Sequence, residues 1–326
     1  MTVSARMIDF MTKSSWIRKM FEEGSRLKAI HGQENVYDFS LGNPDVPPPP
    51  VVIDTMQRLA GTMFHGYMPN AGYPDVRGAV ARHASVLYKV PLTGDDIVMS
   101  CGAGGAMNVV LKALLDPGDE VIALAPYFVE YGFYVDNHGG RLVAVPCTKD
   151  FLPDVQAIGR AITPATKAII VNTPNNPTGR VYPQDVLDEL AELLKDHRHV
   201  AVISDEPYRA IVYDRIEVPS VLRAIPNSVV ITSASKELSL AGERIGYIAI
   251  SPRLPDADAL IHACTFTNRI LGFINAPAIW QLVTAEAPEE LPDLEIYREK
   301  RDLMCDGLAR IGYEARKPQG AFYVFL

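Results

Sequence analysis

Ser233, Ser235 and Lys236, followed by Gly242, Arg244 and Gly246, place one amine, two hydroxyls and one guanidinium within a single short segment. A lysine amine condenses with a carbonyl when it is partly desolvated near another cation, because both influences disfavour its ammonium form. Arg244 can be that cation. Its planar, permanently charged fork also suits a phosphate, and the Ser233 hydroxyl can donate to the same oxygens. The segment therefore has the parts to hold a phosphorylated aldehyde. It is also a pattern that a solvated surface loop can carry, so its partners decide between the two.

The partners lie upstream, each at the end of an apolar run. Residues 200–204 are continuously apolar up to Ser204 and read as a buried parallel strand that ends in Asp205, Glu206, Pro207 and Tyr208. Asp205 thus falls at a strand's carboxyl end, the usual ligand edge of such a sheet. A carboxylate there can keep a pyridine nitrogen protonated, which turns the ring into an electron sink. Before it, the apolar run 168–171 leads into Asn172, Thr173, Pro174, Asn175, Asn176, Pro177, Thr178 and Gly179, a turn-rich loop that brings the Asn176 amide to the same edge. Each has a plainer alternative: Asp205 as a helix cap, and the Asn-Pro pairs as ordinary turn chemistry.

Taken in order, NNPTG, DEPY, SxSK and GxRxG resemble the class I/II aminotransferases of the fold-type I pyridoxal-phosphate enzymes. The likeness runs from Leu41 and Gly42 to Gln319, Gly320, Ala321, Phe322 and Tyr323. It implies that Lys236 carries the Schiff base with pyridoxal 5'-phosphate and shuttles the proton between substrate and cofactor carbons. It further implies that Asp205 pairs the pyridine nitrogen, and that Asn176 and Tyr208 donate to the phenolic oxygen. The expected reaction is transamination between an L-amino acid and a 2-oxo acid.

The phosphate should also meet a helix start. Residues 95–100 read as a strand, and Cys101, Gly102, Ala103, Gly104, Gly105 and Ala106 turn it into an apolar-periodic helix over 107–115. Glycines let backbone approach an anion, and free N–H groups at a helix N-terminus point at it. Ala103 and Gly104 are the candidates. Neither the dinucleotide fingerprint nor a P-loop fits this spacing. Phe128, after the strand 120–124, matches the aromatic that the family stacks on the pyridine ring; Tyr127 and Tyr131 read as packing residues.

The family shares its active site between two subunits, so the resemblance implies a homodimer. Tyr67 matches the tyrosine that reaches the partner's phosphate, and Gly42 the backbone that meets a substrate carboxylate. Arg269 lies where some members present a partner-subunit arginine to a second, distal carboxylate; a structural ion-pair donor is the alternative. The family's arginine for the substrate α-carboxylate lies beyond the Gly-Ala-Phe-Tyr segment, past Leu326. The expectation is therefore a chain that stops short, with 322–326 as an apolar strand leaving a sheet edge open.

Composition agrees with an enzyme. The 326 residues are 48% apolar, enough for a large core and two domains, and 31 basic against 39 acidic residues argue against nucleic acid or an anionic membrane as partner. Four scattered cysteines, Cys101, Cys147, Cys264 and Cys305, read as free thiols of a cytoplasmic protein, and no run approaches the roughly 20 apolar residues of a membrane span. His197 and His199 lack the acidic or thiol partners of a metal site, so no metal is expected.

Apolar runs near 96–100, 120–124, 142–146, 167–172, 200–204, 228–232 and 245–250 alternate mostly with helical patterns. The expected fold is α/β: a three-layer αβα large domain over 50–285 with a mostly parallel seven-stranded sheet, and a smaller α+β domain from 1–49 and 286–326. The link from 233 to 245 is short for a crossover helix, so one antiparallel strand is expected. Helices are expected over 183–195 and 291–311. A carbon-sulfur lyase or decarboxylase on the same fold is the alternative activity, and a cofactor-binding sensor without turnover is the alternative from another class. The 49 residues ahead of the large domain are too short and too weakly basic for a DNA-binding segment.

Overall fold

A computed structural model describes residues 2–13, 15–39, 42–61, 65–286 and 293–326. Leu41, and the start of the expected 291–311 helix at Leu291 and Pro292, lie outside the described residues. The chain forms two compact units, Met1–Asn43 and Pro44–Leu326. In the first, helices Ala5–Lys13 and Ser15–His31 are followed by a short turn at Gln33–Asn35, and Lys28 pairs with Asp38 at 2.7 Å.

The second unit is built on seven strands: β1 (Ile97–Ser100), β2 (Glu120–Ala125), β3 (Arg141–Pro146), β4 (Thr166–Asn172), β5 (Ala201–Asp205), β6 (Ser228–Ser233) and β7 (Gly246–Ile250). Their spatial order is β1-β7-β6-β5-β4-β2-β3. All neighbours are parallel except that β7 runs against both β1 and β6. The carboxyl ends of β1, β2, β4, β5 and β6 therefore share one edge, and the start of β7 joins them, with Gly246 between Ser100 and Ser233.

Both faces of this sheet are covered. Side chains alternate across a strand, so Val121, Ala123, Ile170 and Ile203 pack on one face with the helix Gly102–Leu114, while Ile122, Leu124, Ile169 and Val202 pack on the other with Gln184–Leu194. Continuous apolar strands follow from burial on two sides. Among the described residues, no helix is long and apolar enough to cross a membrane.

Two local expectations are corrected. The helix expected over 107–115 already starts at Gly102, so the glycine run is its first turn rather than a preceding loop. The segment 322–326 is not a strand. A single bridge joins Gly320 to Val212, and beyond it Phe322 and Tyr323 turn their rings onto Tyr208 in a cluster with Val46, Ile211, Tyr213, Tyr297 and Ala321. Aromatic packing, rather than a sheet ladder, absorbs this apolar run.

Candidate active site

Asp205 ends β5, on the face that Ile203 shares with the Gly102–Leu114 helix. One carboxylate oxygen, Oδ2, accepts a 2.5 Å hydrogen bond from the Tyr131 hydroxyl. The other, Oδ1, is buried without a partner. Burial pushes the carboxyl up to about 7; the Tyr131 hydrogen bond pulls it down and the charge of Glu206 pushes it further up. A buried carboxylate with an open oxygen costs free energy until a cation or a proton-bearing nitrogen meets it.

Asn172 holds this end of the sheet together. Its Nδ2 donates to the Asp205 carbonyl at 2.7 Å, and its Oδ1 accepts from the Asn176 backbone N–H at 2.6 Å. Asn175 Oδ1 accepts from the Thr178 backbone and hydroxyl at 3.0 and 2.8 Å, closing the loop on itself. Gly179, at φ +67°, lets the loop lie against the chain's last segment: a Cβ there would stand 2.3 Å from Pro318. The half-buried Asn176 is thereby fixed beside Asp205 through its backbone.

Lys236 stands in the short helix Ala234–Glu237 after β6. Its Nζ lies 5.4 Å from the centre of the Phe322 ring and 5.9 Å from that of Tyr208. Burial first, and the Arg244 charge second, bring the amine down to about 8. A sizeable neutral fraction at neutral pH is what a nucleophilic lysine needs. Tyr208 is buried, and its hydroxyl meets that of Tyr323 at 2.5 Å; burial raises it first, and Tyr323 adds to that.

Arg244 approaches the helix start from the β7 side. Its Nη1 donates to the Ala241 carbonyl at 2.9 Å and to Ser235 Oγ at 3.4 Å. Gly102 faces it at φ +71°, where a Cβ would come within 2.7 Å of Nη2. A Cβ on Gly104 would meet the Tyr134 hydroxyl at 3.2 Å. Ala103 and Gly104 lie in the first turn of a helix whose N-cap, Cys101, supplies no side-chain cap. Helix-start backbone donors, a guanidinium and the Ser235 hydroxyl thus lie together at an edge whose chemistry suits a phosphate. Ser233 is buried at the end of β6, opposite Gly246.

Phe128 is half-buried and meets Tyr131 edge to face at 5.6 Å. Tyr131, expected as packing, is fully buried and also serves as the donor to Asp205. Its spacing three residues after Phe128, just inside the helix Glu130–Asn137, is the only sequence signal for it. The remaining candidates stand apart. Tyr67 is 90% exposed, and Arg269 is exposed near the end of the helix Ala257–Ile270, its guanidinium 5.1 Å from the Phe266 ring centre. Asn268 Nδ2 bonds the Asn70 carbonyl at 2.9 Å, which ties that helix end to the Tyr67 loop. Gly42 belongs to the first unit. Among the described residues, no three His, Cys, Asp or Glu side chains gather as a metal site would require.

These positions fit the cofactor that the sequence leads one to expect. Asp205 Oδ1 is open for a protonated ring nitrogen, Lys236 offers its amine to an aldehyde, and Arg244 with the 102–105 turn offers an anion cradle. Residues 34–326 match the family model for aminotransferase class I and II. A probable aspartate/prephenate aminotransferase of Thermus aquaticus is 37% identical over 292 residues, covering 88% of this chain and 76% of the relative. The aspartate aminotransferase of Thermotoga maritima is 31% identical, over 95% of this chain and 82% of its own length. Among solved structures, an amino transferase from Eubacterium rectale superimposes with a TM-score of 0.93 at 39% identity, over 99% of this chain and 84% of that one. An aspartate aminotransferase from Thermus thermophilus with maleate superimposes at 0.88 with 32% identity, over 99% and 85%.

Proposed function

Starting from the premise that this chain belongs to the class I and II aminotransferases and is a pyridoxal-phosphate-dependent aminotransferase, we propose that Lys236, Asp205, Tyr208 and Arg244 are the groups through which it works. Bound pyridoxal phosphate supplies an electron sink and an acceptor for the amino group. Lys236 would be the amine that holds its aldehyde and the base that moves the proton at the substrate α-carbon. Asp205 keeps the ring nitrogen protonated, with Tyr131 holding the carboxylate in its charged form. Asn176 and Tyr208 donate to the phenolic oxygen, and Phe128 lies against the ring. Ala103, Gly104, Ser233 and Arg244 hold the phosphate. The observation that carries this reading is the open Oδ1 of a buried Asp205, at the same sheet edge as the half-buried Lys236 that follows the neighbouring parallel strand.

The substrates we propose are acidic: an L-amino acid of the aspartate type and its 2-oxo partner. The names of the relatives support this, as does an exposed Arg269 free to meet a distal carboxylate across a subunit boundary. A homodimer with shared sites accounts for Tyr67, which is 90% exposed and would reach the partner's phosphate. Gly42 would meet the substrate carboxylate. For a small domain of 1–49 and 286–326 distinct from a large one of 50–285, the support concerns residues 44–49: Val46 packs with Tyr297 and Ala321, and Lys300 pairs with Asp45. Four unpaired thiols support a cytoplasmic setting.

The test is a half-reaction screen over amino acids, reading cofactor absorbance, with Arg269→Leu beside the native protein. Loss of about 2 to 5 kcal/mol on aspartate and glutamate, with alanine nearly unchanged, is the expected result. Equal loss on every substrate would mark Arg269 as structural and remove the acidic preference from it.

A further inference from the structure

A second cluster of buried charge lies on the other side of the Lys236 turn. A cavity of about 30 Å³ opens there between the helix Pro74–Tyr88 and the strands β6 and β7. Its polar lining includes His83, Tyr88, Arg209, Thr232, Glu237 and Tyr247, and it has room for about two waters. Glu237 follows Lys236 directly in the chain. Arg209 acts on it through charge rather than through a direct hydrogen bond.

Arg209 has a donor to spare. It is 7% exposed; Nη1 donates to Glu206 Oε2 at 2.8 Å, and Nη2 donates to the Val218 carbonyl at 2.8 Å. Its Nε is buried and unpartnered. We infer that Glu237 and Arg209 are positioning residues for Lys236: across this cavity the Glu237 carboxylate engages the spare Nε–H of Arg209 through water, and so fixes the Lys236 turn against the end of β5. The inference rests on Lys236 being the cofactor-holding amine.

A purely structural role would be served better by glutamine. Glu206 already neutralises Arg209, so a second carboxylate gives the cluster a net negative charge. Burial pushes the Glu237 carboxyl up to about 7, with Arg209 opposing. The charged and titratable groups that face it are His83 and Tyr88 from the Pro74–Tyr88 helix, Arg209 with Glu206 behind it, and Tyr247 from β7. Thr232 and Thr284 contribute only hydroxyls. Because the folded value lies above the ordinary 4.5, the fold loses stability as pH rises from about 4.5 to about 7. The chain thus carries a carboxylate where it costs stability, which points to use rather than support.

Glu237→Gln is the test, since it keeps the shape and holds the neutral form at every pH. The cofactor-free variant should melt above the native protein at about pH 8 and level with it near pH 4.5. In the loaded enzyme, kcat of the two should agree at about pH 6 and differ about fivefold in favour of the native protein at pH 8, with KM within about twofold. The visible band of the lysine-linked cofactor should form in both. A band in both proteins with a kcat ratio that does not change with pH would overturn this inference alone, as would a lower melting temperature for the variant at pH 8. No band in either would overturn the reading of Lys236 and this inference with it.

Discussion

Asp205 and Glu206 are neighbours in the chain, both buried, and they point to opposite faces of the sheet. Glu206 is satisfied: Ser204 donates to it at 2.5 Å and Arg209 at 2.8 Å, in an ion pair with both partners buried. Asp205 has one bond, from Tyr131, and an open oxygen. The same chemical group is closed on one side and left open on the other. The closed one is compensated by the fold itself; the open one is uncompensated until something binds. That difference separates a structural carboxylate from a functional one without reference to any relative.

Substitution sharpens the contrast. Glu206→Gln removes the carboxylate that pairs directly with the buried Arg209 and should lower the free energy of unfolding by about 3 to 5 kcal/mol, read by urea titration. Asp205→Asn should do the reverse. Its carboxyl sits near 7 against an ordinary 3.8, so folding stability falls as pH rises through that window, and removing the group should stabilise the cofactor-free chain above pH 7. Turnover should nevertheless drop by roughly a thousandfold, about 4 kcal/mol of barrier, because an unprotonated ring is a poor electron sink. If Asp205→Asn destabilised the fold as Glu206→Gln does, the two carboxylates would be equivalent and the contrast would collapse.

A smaller effect comes from the single bond that Asp205 does have. Tyr131→Phe removes a donor to its charged form, which should raise the carboxyl further and weaken ring-nitrogen protonation. The expected loss in kcat/KM is about 1.5 to 3 kcal/mol, with the acid limb of the pH profile moved upward. An unchanged profile would return Tyr131 to packing alone.

What was legible in the sequence follows the range of the interactions involved. The strands could be read because β4, β5 and β6 are buried on two faces and must be apolar throughout, and Lys236, Asp205 and Arg244 could be proposed because their order and types leave few chemistries. The contacts that make the site work were not legible. Tyr131 meets Asp205 across 74 positions, and nothing local in its helix distinguishes it from Tyr127. Glycines argue for a loop, yet the helix begins at Gly102, whose φ of +71° favours glycine and which lies against the Arg244 guanidinium. Residues 322–326 form a continuous apolar run that reads as a strand, but the rings of Phe322 and Tyr323 find Tyr208 and Tyr297 instead of a ladder. Nothing in the sequence singles out Glu237. Only the tertiary fold turns it toward Arg209 and a cavity.

The central claim is that the amine of Lys236, lowered to about 8 by burial and by Arg244, holds the cofactor. Titrating the purified protein with pyridoxal phosphate and recording its visible absorbance, for the native chain and for Lys236→Ala, tests this most directly. The native protein should develop a saturable band that disappears when an amino-acid substrate is added and returns with a 2-oxo acid, while the variant binds cofactor without that band and does not turn over. A native protein that shows no such band at saturating cofactor, or a variant that still cycles between the two spectra, would contradict the account.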